Sequence, residues 1–232
     1  MVLYIIGLGL EVRGISLHGK KILKNVKKIY LDNYTVELPY SKKELEKELK
    51  IKVIEASRES VESERLVDEA KKGDVVLLVY GSPLSATTHI SLIESCKEKK
   101  VKFNILYSGS VFDAVAESGL SLYKFGKTIS LPKWQKNFEP KSFMNVIEDN
   151  KKIWAHTLLL IDIGLKFQDA KKELIECGLK EKVIVCSCLG IKSKFFYGFL
   201  DDIPIDKIKA PYCIIIPSKL DINEERLLNI NS

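Results

Sequence analysis

The sequence predicts an α/β protein of two α/β domains, residues 1–112 and 113–232, with a cleft between them. Three observations predict it. Strand-sized apolar runs alternate with helical patterns through the first half, as in an open, mostly parallel sheet with helices on both faces. Three of those strands run into small-residue turns: Gly7-Leu8-Gly9, Gly81-Ser82-Pro83 and Ser108-Gly109-Ser110. After about residue 112 strand content rises and connections shorten, which points to a mixed, partly antiparallel second sheet.

The elements follow in order. "MVLYIIGLG" reads as a buried first strand rather than a signal peptide, since no basic segment precedes its apolar run and no small-residue cleavage site follows. Ile15, Ile22, Leu23 and Val26 then fall at helical spacing. "KKIYLDNYT" is a second strand, and "SKKELEKELK" a charged helix whose Ser41 suits an N-cap. "IKVIEAS" is a third strand, and "SVESERLVDEAKKG" is predicted as one helix closed by Gly73. "DVVLLVYGSP" is apolar on both faces, as central parallel strands are. "TTHISLIESCKEKK" is a helix with Ile90, Ile93 and Cys96 expected on its buried side, and "VKFNILYSGS" is a fifth strand.

In the second half "SVFDAVAESG" reads as a helix, and "LYKFGKTISLP" as a linker and first strand. "EPKSFMNVIEDNKKI" and "FQDAKKELIECG" are helices flanking the strand "AHTLLLIDI". "EKVIVCSCLG" is a strand expected to place Cys186 and Cys188 on one face, and "SKFFYGFLDDIP" is expected to turn away. "APYCIIIPSKL" supplies a last strand, with prolines at its ends where a sheet tolerates them.

Composition excludes several classes. No apolar run approaches the roughly 20 residues of a membrane span, so a cytoplasmic protein without membrane contact is expected. Five cysteines without a secretion signal read as reduced thiols, and three scattered histidines give no metal-ligand spacing, so no metal is expected. The formal net charge is +6, but 33 lysines stand against only four arginines, the preferred forks for phosphate and guanine. Nucleic-acid binding is therefore not expected. Gly7-x-Gly9 lacks the third glycine of a dinucleotide fingerprint, because Val12 stands there. No P-loop and no nucleophile-elbow serine occurs, and no cysteine has a neighbouring histidine. The glycine-lined, mostly neutral turns suit a cofactor held by backbone groups, and in such sheets ligands bind beyond the carboxyl ends of strands.

Several stretches carry a resemblance over nearly the whole chain. They are "VLYIIGLGL", "GSPLSATTH", "LYKFGKT", "EPKSFMNVIEDN", "HTLLLIDI" and "PYCIIIPSKL". In these the chain resembles the diphthine synthases, a family within the tetrapyrrole-methylase-like (class III) methyltransferases. The resemblance implies two α/β domains of the tetrapyrrole-methylase type, S-adenosylmethionine bound between them, and a homodimer. It implies methylation of the amino group on a modified histidine of translation elongation factor 2, on the way to diphthamide. The short chain resembles the archaeal form. Carried over residue by residue, the cofactor contacts would be Leu10, Ser82, Ser85, Ser110, Val111, Ile161, Leu189 and Tyr212.

The chain departs from the family in places. Ser82 replaces an aspartate, Val111 an isoleucine and Tyr212 a histidine, and "CSCLG" stands where an Ala-Arg stretch is common. A hydroxyl at position 82 is expected to weaken cofactor binding by about 1–3 kcal/mol relative to a carboxylate. Two other readings stay open: a methylase of a tetrapyrrole or another small molecule, and a relative that has lost cofactor binding. Against the first, "GLGLEVRG" stands where that group often carries Gly-Pro-Gly-Asp. No catalytic residue is assigned. His89 is expected to be a helix-start histidine bonded to backbone, and Phe125 reads as core. For Tyr123, Lys124 and Asp162 a structural role is as good a reading as a catalytic one.

Overall fold

Five parallel strands organise the first of two units into which the computed structural model divides, Met1–Asp113 and Ala114 onward; residues 1–230 are described. The strands are β1 (Val2–Gly7), β2 (Lys28–Asp32), β3 (Ile54–Ala56), β4 (Val75–Val79) and β5 (Lys102–Leu106), in the order β3-β2-β4-β1-β5. β4 is central and all five of its residues are buried. Its alternation divides the core. Val75, Leu77 and Val79 join Leu3 and Ile5 on one face, beneath α4 (Arg65–Ala70) and α5 (Ile90–Glu98). Val76 and Leu78 join Ile6, Ile29 and Leu31 on the other, beneath α1 (Leu17–Leu23) and α2 (Lys42–Leu49). Ser41 caps α2 through a reciprocal capping box with Glu44.

The second unit has a five-stranded mixed sheet in the order β6-β7-β10-β8-β9. Its strands are β6 (Ile129–Leu131), β7 (Thr157–Ile161), β8 (Val183–Ser187), β9 (Lys194–Gly198) and β10 (Tyr212–Ile216). Only the β6–β7 pairing is parallel. α7 (Ser142–Lys152) and α8 (Phe167–Glu176) cover one face, burying Phe143, Ile147, Phe167 and Leu174 against Leu159, Val185 and Ile214.

Four sequence expectations need correction. The helix expected over 60–73 is broken into α3 (Arg58–Glu62) and α4, because Ser63 is extended (ψ 166°). Its hydroxyl donates to the Ser60 carbonyl and accepts the Arg65 N–H, an alternative to the helical bonds. Ile90 is 62% exposed, not buried. His89, Leu92, Ile93 and Cys96 form the inner stripe of α5, and Ile90 stands about 100° round the helix from His89. Residues 194–198 do not turn away but double back as β9 against β8, after a turn in which Ser193 Oγ accepts the Gly190 N–H. β8 stops at Ser187, and Cys188 lies in the left-handed region (φ 52°), so Cys186 and Cys188 do not share a strand face. Cys186 pairs with Cys213 of β10 instead, and both are buried. The chain also forms α9 (Ile222–Ile230), started by Asp221 Oδ1, which accepts the Asn223 and Glu224 N–H groups.

The two faces of β4 give a direct check. Leu77→Ala and Leu78→Ala are each expected to cost about 2–5 kcal/mol in denaturant unfolding. Ile90→Ala on the exposed flank is expected to stay within about 0.5 kcal/mol of the parent.

Candidate functional site

Beyond the carboxyl ends of β1, β4 and β5, three turns lock together. Leu8 N–H donates to the Val79 carbonyl (2.8 Å), and Gly9 and Gly81 exchange both main-chain hydrogen bonds (3.0 and 2.9 Å). Gly7 is where they meet most closely. A Cβ there would lie 2.7 Å from the Gly81 carbonyl oxygen, 2.8 Å from Pro83 Cδ and 2.9 Å from Ser108 Cβ. No other residue fits without separating the turns. Ser82 Oγ accepts the Ser108 N–H (3.3 Å), and Ser108 Oγ donates to the Gly14 carbonyl (3.1 Å).

Five of the expected contacts lie on this rim. Leu10 is half-buried, and its carbonyl accepts the Tyr80 hydroxyl (3.2 Å). Ser82 is buried, with its hydroxyl turned toward the Ser108 amide. Ser85 is half-buried, its N–H donating to the Ser82 carbonyl between two left-handed residues, Leu84 (φ 67°) and Ala86 (φ 55°). Ser110 Oγ accepts the Phe112 N–H at the start of the short α6 (Val111–Ala114). Asp113 Oδ2 accepts both the N–H and the hydroxyl of Ser110, and Val111 is half-buried beside it. Apart from Asp113, which is turned onto Ser110, the lining is main chain and hydroxyl, suited to an uncharged nucleoside.

His89 is not bonded to backbone as expected. It is fully buried, and its Nε2 lies 3.0 Å from Oδ2 of Asp32, the last residue of β2, which is also buried.

The other three contacts lie at one end of the central strands of the second sheet. Ile161 ends β7, Tyr212 begins the antiparallel β10, and Leu189 follows β8, whose Ser187 pairs with Tyr212. Tyr212 donates its hydroxyl to the Leu165 carbonyl (2.9 Å) and sets its ring edge-on to Phe167. Leu189 is buried, in a turn fixed by the Cys188 N–H donating to the Pro211 carbonyl (2.9 Å). Asp162 is exposed and accepts the Lys133 and Ile163 N–H groups.

The "LYKFGKT" segment is anchored through Lys124. Its ammonium donates to Glu224, a buried carboxylate of α9. Glu224 also accepts the Ser121 N–H (3.1 Å), the Asp221 N–H (2.9 Å) and His156 Nε2 (3.2 Å), while His156 Nδ1 accepts the Ser218 N–H (3.0 Å). That last bond places the imidazole proton on Nε2. Phe125 is half-buried and packs edge-on against His156, and Tyr123 is fully exposed. Gly126 has no room for a Cβ, which would fall 2.3 Å from Asn150 Oδ1. Burial alone would raise the Glu224 carboxyl, but its hydrogen bonds outweigh that and hold it at about 2. Burial holds His156 below its ordinary value, against the pull of Glu224. Among the described residues no three His, Cys, Asp or Glu side chains group to hold a metal, and no helix is long and apolar enough to cross a membrane.

Asp32, Asp113 and Glu224 were not singled out from sequence. Asp113 stands three residues after Ser110, and Glu224 three after Asp221, both spacings of a helix start. Nothing local marks Asp32 as the partner of His89.

A family model described as Tetrapyrrole (Corrin/Porphyrin) Methylases matches residues 2–204. A diphthine synthase of Methanococcus maripaludis is 34% identical, across 98% of this chain and 97% of that protein. A diphthine methyl ester synthase of Schizosaccharomyces pombe is 40% identical across 71% of this chain and 59% of that protein. A crystal structure of diphthine synthase matches with a TM-score of 0.91 at 28% identity, over 100% of this chain and 96% of that one.

Two outcomes are expected. Gly7→Ala should separate the three turns and lower stability by about 1–3 kcal/mol, read by chemical denaturation. Acid should weaken the second unit through this cluster. The stabilisation from Glu224 is complete above its ordinary value of 4.5 and is lost as pH falls toward about 2. His156 acts in the same direction, because the unfolded imidazole takes a proton near its ordinary 6.5 and the buried one resists it. The melting temperature should therefore fall steadily from pH 7 to pH 3, and Glu224→Gln should flatten the part below pH 4.5. A wild-type melting temperature constant over that range would contradict the assignment.

Proposed function

The chain belongs to the tetrapyrrole (corrin/porphyrin) methylase family, and we propose that it is a diphthine synthase. Its reaction would be S-adenosylmethionine-dependent methylation of the amino group of the modified histidine of translation elongation factor 2, in diphthamide biosynthesis. The observation that carries this reading is the near full-length match to a diphthine synthase. The glycine-and-serine rim beyond β1, β4 and β5 supports it, because its donors and acceptors suit a neutral nucleoside held by main chain.

Leu10, Ser82, Ser85, Ser110 and Val111 are the proposed cofactor contacts of the first unit, and Ile161, Leu189 and Tyr212 those of the second. The bound cofactor supplies an activated methyl group. The chain's part is to hold donor and amine in line, which by itself removes much of the barrier to a transfer needing no covalent help from the protein. The attacking amine must be neutral. His89, fully buried, and Lys124, committed to Glu224, are poor candidates for taking its proton. A cytoplasmic, archaeal homodimer with elongation factor 2 as its protein substrate completes the reading.

One observation favours a second reading, a relative that no longer binds the cofactor. The position where the family carries aspartate holds a serine whose hydroxyl is taken by the Ser108 amide. Calorimetric titration with S-adenosylmethionine and S-adenosylhomocysteine separates the two. Micromolar binding, followed by methyl transfer to the modified factor, is the expected result. Absence of binding up to millimolar cofactor would establish the second reading instead.

A further inference from the structure

We propose that Asp32 and His89 form a buried strut that sets the shape of the turn from Tyr80 to His89, making His89 a positioning residue for cofactor binding. The inference rests on the functional reading above. The turn has two ends held by different means. Its inner end is held by the Gly9–Gly81 exchange and by Ser82 Oγ accepting the Ser108 N–H. Its middle carries Ser85 between left-handed Leu84 and Ala86. Single non-glycine residues persist in that region only where their surroundings hold them there.

The outer end is held at the carboxyl end of β2. His89 precedes α5 with its side chain making no capping hydrogen bond. Instead the ring is completely buried, with Nε2 3.0 Å from Asp32 Oδ2. The approach is off the line of a good hydrogen bond, so a close polar contact and packing hold the pair. Asp32 is itself fixed, because Oδ1 accepts the Tyr34 N–H (3.0 Å) and Oδ2 accepts the Thr35 hydroxyl (2.7 Å). A second link runs alongside, between the Tyr34 hydroxyl and Thr88 Oγ1 (3.1 Å). Two consecutive residues, Thr88 and His89, are thus tied to the end of β2 and the loop that follows it. Full burial keeps the imidazole from substrate, so its effect must pass through the turn.

The variants are chosen by reach. His89→Gln places a side-chain N–H near the position of Nε2, whereas His89→Asn places one near Nδ1 and cannot reach Asp32. Two readouts are needed: titration with S-adenosylhomocysteine, and amide hydrogen exchange of residues 82–88 without ligand. The expected result is near-parental behaviour for His89→Gln. For His89→Asn, cofactor affinity should fall about tenfold or more, and exchange at 82–88 should quicken while β1 stays protected. In turnover, the cofactor KM should rise with kcat within about threefold, as lost positioning requires. Equal exchange and equal affinity in both variants would overturn the proposal. So would a kcat collapse in His89→Gln with unchanged cofactor affinity, which would mark a catalytic group. Should the parent protein not bind the cofactor, the functional reading fails, and hydrogen exchange alone decides whether the strut exists.

Discussion

The rim of the first unit depends on one missing side chain. Gly7 ends β1 in the space where the Gly81 carbonyl, Pro83 and Ser108 converge, each under 3.0 Å from where a Cβ would stand. Because no Cβ holds them apart, the reciprocal Gly9–Gly81 bonds can form and the three turns become one surface. Ser82 and Ser108 then need only short side chains to close the remaining gaps. Steric exclusion at one residue therefore governs where the candidate contacts sit. Hydrogen bonds refine the arrangement, and charge has little part in it.

The second unit reaches a similar end by opposite means. Its motif segment is held by a buried carboxylate, Glu224, saturated by an ammonium, two main-chain amides and an imidazole. A buried charge is tolerable when several donors surround it, and removing one partner leaves the others exposed to its full desolvation cost. Asn150 extends this polar framework, since it accepts the Lys127 N–H and donates to the Lys127 carbonyl and Thr157 Oγ1. Lys124, a motif member that sequence left between catalysis and structure, is thereby committed to structure.

Legibility followed the range of the forces. β1, β4, β7 and β10 are apolar runs whose burial is written into consecutive residues, and Ser41 announces α2 through the local spacing of a capping box. The three small-residue turns were legible for the same reason, as glycine and serine directly follow an apolar run. What escaped depends on competition or on distance. Ser63 breaks a helix through side-chain bonds that rival the backbone's, a choice that apolar periodicity does not register. Ile90 was assigned inward because its spacing to Ile93 and Cys96 fits a stripe, but buried His89 rotated the helix to a different one. The partners that matter most, Asp32 for His89 and Glu224 for His156, join residues far apart in the chain. The second pair is separated by 68 positions, which no local pattern encodes.

The serine at position 82 follows from the same geometry. The position is buried, and its hydroxyl accepts the Ser108 amide at 3.3 Å. A carboxylate buried there would need several donors to offset its desolvation, whereas a hydroxyl needs one acceptor and one donor at most. The neighbouring hydroxyls are already engaged, Ser108 with the Gly14 carbonyl and Ser110 with Asp113. With no carboxylate at position 82, ligand affinity there must come from the fit of main-chain groups, and that fit is only as good as the turn is well held. The same exchange that weakens direct recognition therefore raises the importance of whatever fixes the turn at its far end, which is where Asp32 meets His89.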